Sequence, residues 1–244
     1  MSVRIPIEWF ETVDSTQNVI HERAMTLDNL SVVAAGYQTA GRGQRGNRWL
    51  AGKDENLTFS MLLRFGETPL PPLEAGDQFA LSMAASMGVA DYLSSRGIES
   101  MVKWPNDIYV RNRKICGMLI ENVLDGAMVA RSILGIGLNV NQKVFPGDLV
   151  NPVSMAILTG REYDLRNELP DLCRYIVDRI GTDNRADYLG RLFRRGVFNE
   201  FYDCLEDVHF SGRIVGVTPF GKLIIENTKG ELKEFAFKEI TYVI

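Results

Sequence analysis

Three arginines, Arg42, Arg45 and Arg48, recur at every third position in GRGQRGNRW at 41–49. Guanidinium forks match phosphate and carboxylate oxygens. The interleaved Gly41, Gly43 and Gly46 let backbone amides approach a ligand closely and form anion-binding nests. The chemistry on offer is anion capture, although a solvated loop or an RGG-like RNA contact has the same composition. A loop this charged and glycine-rich loses entropy on ordering, so residues 39–56 are expected to be mobile without ligand and to close around an anion.

KWPND at 103–107 is a second constellation, followed by Lys114 and Gly117. Pro105 pushes Trp104 into an extended conformation and Asn106-Asp107 suits a turn, so Lys103 and Asp107 are displayed at a rigid strand end. Lys114 precedes the apolar run ICGMLI, and Gly117 leaves room for a ligand against the backbone. Glu121 at the end of that run reads as a surface residue. In GIGLNVN at 135–141, period-two geometry puts Gly135, Gly137, Asn139 and Asn141 on one face, bare enough for a flat ligand. In DSTQN at 14–18, Asp14, Ser15 and Thr16 read first as N-cap residues, with Asp14 and Gln17 resembling a capping box. Spare hydroxyls at that tip could bind a polar ring.

The elements that must hold these groups follow from periodicity. Strands are expected at 3–13, 31–38, 57–65 and 128–142, with a hairpin around the Arg111-Asn112 turn. Helices are expected from about 16 to Leu27 and over 77–96, and as two helices over 165–203. The loop at 39–56 is longer than compact domains usually tolerate, which marks it as functional. After Leu205-Glu206-Asp207 the chain turns to short strands separated by glycine-containing turns, a pattern that suits a small barrel. Mixed hairpins with helices argue an α+β class.

With 27 Lys+Arg against 31 Asp+Glu in 244 residues, the net charge of -4 disfavours holding bulk nucleic acid. No apolar run reaches the ~20 residues of a membrane span, and MSVRIPIEWFE lacks the pattern of a secretory signal. Cys116, Cys173 and Cys204 form no CxxC and read as reduced core thiols. The 2 histidines rule out a His-rich metal site, so Lys, Arg, Asp and backbone groups must carry the chemistry.

Taken together and in this order, DSTQN, YQTAGRGQRGNRW, KWPND with Lys114, Gly117, Leu119 and Glu121, and GIGLNVN strongly resemble the biotin–protein ligase family over essentially the whole chain. The resemblance implies an α+β catalytic domain over 1–205, with a mixed central sheet and helices to one side, and an SH3-like β-barrel over 206–244. It implies a cytoplasmic enzyme, monomer or homodimer, that uses biotin, ATP and Mg²⁺ to make biotinyl-AMP and then biotinylates a lysine of a biotin carboxyl carrier protein domain. By the same resemblance Ser15, Thr16, Gln17, Gln38, Gly41, Arg42, Gly43, Gln44, Lys114, Gly117 and Gly135 surround biotin. Arg45, Arg48, Trp49, Asn56, Lys103, Asn106, Asp107 and Asn139 surround ATP, and Asp107 reaches Mg²⁺ through the phosphates. The implied catalytic groups are Lys114, Arg42, Arg45 and Asp107. Relatives on this scaffold transfer lipoyl or octanoyl groups, but KWPND with the glycine–arginine loop points to biotin. Departures are Gln44 where the family often has arginine, Gln17 where asparagine is more usual, and the ending KEITYVI in place of a GEISLR-like one. Repressor members carry an N-terminal winged helix; here the catalytic segment begins within the first ten residues, so no specific DNA binding is expected.

Overall fold

Alternating side chains in LTFSMLLR make β3 (Leu57–Arg64) a strand with two different faces, and the architecture is organised around it. In the computed structural model, which describes residues 3–43, 46–147, 149 and 151–243, β3 lies between β2 (Val32–Gln38) and β7 (Met128–Leu138). The remaining strands are β1 (Ile7–Val13), β4 (Met101–Lys103), β5 (Asp107–Val110) and β6 (Arg113–Asp125). The order is β1-β2-β3-β7-β6-β5-β4. Only the β1–β2 pair is parallel, so the sheet is mixed.

The two faces build separate clusters. Phe59, Met61 and Leu63 point toward α2 (Phe79–Ser95) and α4 (Leu165–Arg179) and form the main core with Leu134 and Ile136. On the other face Val33, Leu62 and Ile133 meet Ile20 and Ala24 beside α1 (Thr16–Arg23). Burying each such aliphatic side chain stabilises the fold by roughly 1.5–3 kcal/mol. The longer helices thus share one face and α1 alone lies on the other. Two short helices, α3 (Met155–Thr159) and α5 (Arg185–Gly190), complete the helical layer.

Where elements differ from the sequence expectation, side chains intercept the backbone. α1 stops short of Leu27 because the Arg64 guanidinium donates to the carbonyls of Ala24 and Leu27, at 2.6 and 2.7 Å. β7 ends before Asn139 because Asn56 leads the chain away. Its side-chain oxygen accepts from the Val140 amide at 2.9 Å, while the Asn139 amide donates to the Ile115 carbonyl at 2.9 Å. The two helices expected over 165–203 are α4 and the short α5, and the end of that range is instead β8 (Phe198–Asp203), whose alternating Phe201 and Asp203 are buried.

β8 belongs to a second sheet with β9 (Val208–Val217), β10 (Leu223–Asn227), β11 (Leu232–Phe235) and β12 (Ile240–Tyr242). Its order, β11-β10-β9-β8-β12, is antiparallel throughout and open at both edges. The expected small barrel takes the form of an open five-stranded antiparallel sheet consistent with an SH3-like module, and its first strand lies ahead of Leu205. Residues 236–239 join the two edge strands and run against the first sheet. There Phe237 packs edge-on to Trp104, ring centroids 5.9 Å apart, and the Trp104 indole donates to the Gly221 carbonyl at 2.9 Å.

Candidate functional site

The α1 face of the large sheet carries a row almost without side chains. Thr58, Gly137 and Gly117 stand opposite one another across β3, β7 and β6, and the next row is Ser60, Gly135 and Leu119. A cavity of about 420 Å³ opens over these rows, a size that suits a drug-sized ligand.

At one end of the floor the groups are uncharged and hydrogen-bonding. The Thr16 amide and hydroxyl donate to the Gln38 side-chain oxygen at 2.8 and 3.1 Å, and the Thr16 hydroxyl lies 2.8 Å from that of Ser60. Ser60 donates to the Gln17 side-chain oxygen at 2.9 Å, and the Gln17 amide donates to Glu121 at 3.0 Å. Ser15, Thr16, Gln17 and Ser60 are all buried. Ser15 occupies the N-cap position of α1 without a side-chain capping bond, and Asp14 instead accepts from the Ser15 amide and the Asn18 side chain, each at 2.6 Å. The expected capping box is therefore absent, which leaves Thr16 and Gln17 to the cavity.

Glu121 is a hub rather than the surface residue expected. It accepts from Gln17, pairs with His21 at 2.8 Å and with Arg42 at 2.7 Å. Burial alone would raise its pKa, but hydrogen bonds from His21 and Gln17 and the Arg42 charge hold it below the ordinary glutamate value. The sequence signal for this was its spacing: Glu121 shares a strand face with Gly117.

The opposite end is cationic. Lys114 pairs with Asp107 at 2.7 Å, and both side chains are about one-third exposed, 31% and 28%. Lys114 is fixed by its backbone, which donates to Asn151 and accepts from Val153 at 2.8 and 2.9 Å. A Cβ on Gly117 would stand 3.1 Å from both the Lys114 ammonium and the Trp49 ring. The KWPND turn contains a cis Trp104–Pro105 bond, and the Tyr188 hydroxyl donates to the Pro105 carbonyl at 2.7 Å. Lys103, Asn106 and Asp107 from this turn all reach the cavity. Burial depresses the Lys103 pKa.

The glycine–arginine loop forms the lid side. Its limbs are tied by Trp49 N–H to Gly41 carbonyl at 3.0 Å and Gly43 N–H to Asn47 carbonyl at 2.7 Å. Arg42, Gly43, Arg48 and Trp49 line the cavity, and Gln44 and Arg45 lie outside the described residues. The Trp49 indole lies directly on the bare floor: a Cβ on Gly137 would come within 2.2 Å of it. Gly41 serves close approach within the loop, where a Cβ would meet the Trp49 carbonyl at 2.5 Å.

Three expected positions do not line the cavity: Gly41, Asn56 and Asn139. Both asparagines are buried and committed to backbone geometry, Asn56 to Val140 and Asn139 to the Val153 carbonyl at 3.1 Å. Groups missed in the sequence are Ser60, legible only as a polar position inside an apolar strand, and Phe237, Ile240, Thr241 and Tyr242 from the second sheet. Among the described residues no cluster of three His, Cys, Asp or Glu side chains is arranged to hold a metal, and no helix is long and apolar enough to cross a membrane.

Residues 9–139, more than half the chain, match the biotin/lipoate A/B protein ligase family. The chain belongs to this family. It is 28% identical over 235 residues to the bifunctional ligase/repressor BirA of Bacillus spizizenii, covering 93% of this chain and 71% of that protein. Against BirA of Escherichia coli it is 31% identical over 140 residues, 57% of this chain and 42% of that protein. The fold is that of a biotin protein ligase from Aquifex aeolicus in complex with biotin and ATP, with a TM-score of 0.77, 24% identity and 97% of each chain covered. In this family member the glycine rows, the Thr16–Gln38–Ser60–Gln17 network and the Lys103–Asp107–Lys114 group all face one cavity.

Proposed function

We propose that this chain is an ATP-dependent biotin–protein ligase. It joins biotin to ATP to make biotinyl-AMP and pyrophosphate, then passes the biotinyl group to a lysine of a biotin carboxyl carrier domain. The observation that carries this reading is the polarity of the cavity: an uncharged hydrogen-bonding end, a bare glycine floor, and a cationic end at Lys103 and Lys114. The first end suits a ureido ring, with Ser15, Thr16, Gln17 and Gln38 as partners and Gly135 admitting the ring. The middle suits a flat bicyclic body and acyl chain, framed by Gly117 and covered by Arg42 and Gly43. The second end suits a carboxylate and phosphates, with Arg48 and Asn106 alongside.

In the first step a biotin carboxylate oxygen bonds to the α-phosphorus of ATP while the bond to pyrophosphate breaks. Two anions must meet, and the Lys114 ammonium offsets their repulsion in a site partly closed from water. In the second step the carrier amine bonds to the carbonyl carbon, AMP leaves with the acyl–phosphate bond electrons, and the amine loses a proton. Asp107, whose carboxylate already holds Lys114, is the group placed to orient or deprotonate that amine. Magnesium brings charge neutralisation on the phosphates; a lone cavity carboxylate such as Asp107 fits an ion that keeps most of its waters and binds chiefly through substrate phosphates. Arg42, tied to Glu121, covers the reactive anhydride against hydrolysis. Asn56 and Asn139 act on this reading by shaping the strand ends.

ATP–pyrophosphate exchange with purified protein tests the reading. Exchange that requires biotin supports it, and exchange that requires lipoate instead moves the chain to the lipoate branch of its family. Absence of exchange with either acid sinks adenylation altogether.

A further inference from the structure

Lys103 makes no salt bridge among the described residues, although its cross-strand neighbour Asp107 could supply one; that carboxylate is taken by Lys114 at 2.7 Å. The Lys103 ammonium instead lies 5.1 Å from the Tyr109 ring centroid and 5.1 Å from that of Tyr242, and it donates to the Tyr109 hydroxyl at 3.4 Å. Tyr109 stands on β5 in the same hairpin, but Tyr242 comes from β12 of the second sheet. Both tyrosines are more than nine-tenths buried, at 5% and 8% exposure, and Tyr242 lines the cavity. Its hydroxyl is buried without a hydrogen-bond partner among the described residues, so the ring rather than the hydroxyl holds the contact. Tyr242 is gripped in turn by Phe201, edge-on at 5.3 Å, and by Phe193 at 6.3 Å, which fixes the ring plane.

We infer that Tyr242 is a positioning residue: with Tyr109 it cradles the Lys103 ammonium and aims it at the phosphate end of the cavity. This rests on the ligase reading. Beyond the one long bond to the Tyr109 hydroxyl, a lysine held by ring faces keeps its other hydrogen-bond donors for an incoming anion, whereas one held by a carboxylate has its charge already neutralised. The other charged groups around it are Asp107, Lys114 and Arg194. Two of these three are cations and Asp107 is already paired with Lys114, so the rings add to the Asp107 attraction in keeping Lys103 in place without ligand.

The test compares Tyr242→Phe with Tyr242→Leu in the full chain. The Phe variant retains the ring and the Leu variant removes it. Two readouts are taken: the Lys103 side-chain titration by heteronuclear NMR without substrate, and KM for ATP and for biotin in pyrophosphate exchange. The Phe variant should match the parent in both. The Leu variant opens Lys103 to water, so its titration midpoint should rise, and KM for ATP should rise about tenfold while KM for biotin stays within about twofold. A Leu variant that matches the parent overturns the inference, as does equal behaviour of the two variants or a parallel rise in both KM values. If the parent shows no biotin-dependent exchange, the ligase reading falls. The lysine titration then still decides whether the cradle exists.

Discussion

Lys114 carries two demands at once, a fixed backbone and a mobile charge. Hydrogen bonds to Asn151 and Val153 fix its strand position on both sides, while its ammonium rests on Asp107 at a partly exposed site. That ion pair contributes little to stability at such exposure, so its loss should be felt in catalysis. Lys114→Ala is expected to lower biotin-dependent pyrophosphate exchange by about 10²–10³-fold with an unchanged melting temperature. Asp107→Asn touches both steps unequally: exchange should weaken through the lost Lys114 partner, while transfer from preformed biotinyl-AMP to the carrier slows further, by about 10²-fold or more. Normal transfer by that variant would remove Asp107 from the second step. At this scale the sequence was legible in placement, since Lys114, Asp107, Arg42 and Arg48 all line one cavity. It misled where one type serves two ends. Asn56 and Asn139 look like ligands, yet their amides hold strand ends, and Glu121 looks like surface, yet it joins Gln17, His21 and Arg42.

The elements were legible through their periods, since β3, β7 and α2 follow from alternation or from an apolar run of helical length. What periodicity could not show was where side chains end a strand or helix, as Arg64 does to α1 and Asn56 to β7. It also could not distinguish β8 from a helix, because FNEFYD is too short to separate the two periods. The joint between α2 and α4 offers a prediction at this level. Gly88 faces α4 so closely that a Cβ would stand 2.5 Å from the Ile176 Cα and 2.8 Å from the Tyr175 carbonyl. Both neighbours are backbone, so the helices must part. Gly88→Ala should destabilise by about 1–3 kcal/mol, seen as a melting temperature lower by about 2–4 °C per kcal/mol. The folded fraction should retain its ATP and biotin KM, because the cavity lies on the opposite sheet face.

Over the whole molecule, charge and thiols give two further expectations. Asp203 is buried at the base of the second sheet; burial would raise its pKa, but the Lys233 ammonium at 2.6 Å and the amides of Glu206 and Leu205 hold it low. Glu121 is likewise held low by its partners. A carboxylate depressed by folding adds stability that is present above its unfolded value and is lost as pH falls through the folded one. Both sheets should therefore weaken together on acidification below the ordinary values of 3.8 and 4.5. Denaturant titrations between pH 6 and 3 should show this fall, less steeply in Asp203→Asn. Cys116 and Cys173 are buried, with thiol pKa values pushed up by burial, while Cys204 is exposed. Alkylation at neutral pH followed by intact mass should add one label to the native protein and further labels only after unfolding.

The cavity walls draw on Ser15 near one end of the sequence and Tyr242 near the other. During translation, then, a nascent polypeptide owns every motif of the first sheet long before it owns a finished pocket. Its Lys103 waits, without the Tyr242 ring, for β12 to leave the ribosome. A product that stops short of β12 would carry every motif of the first sheet around a cavity with one wall missing.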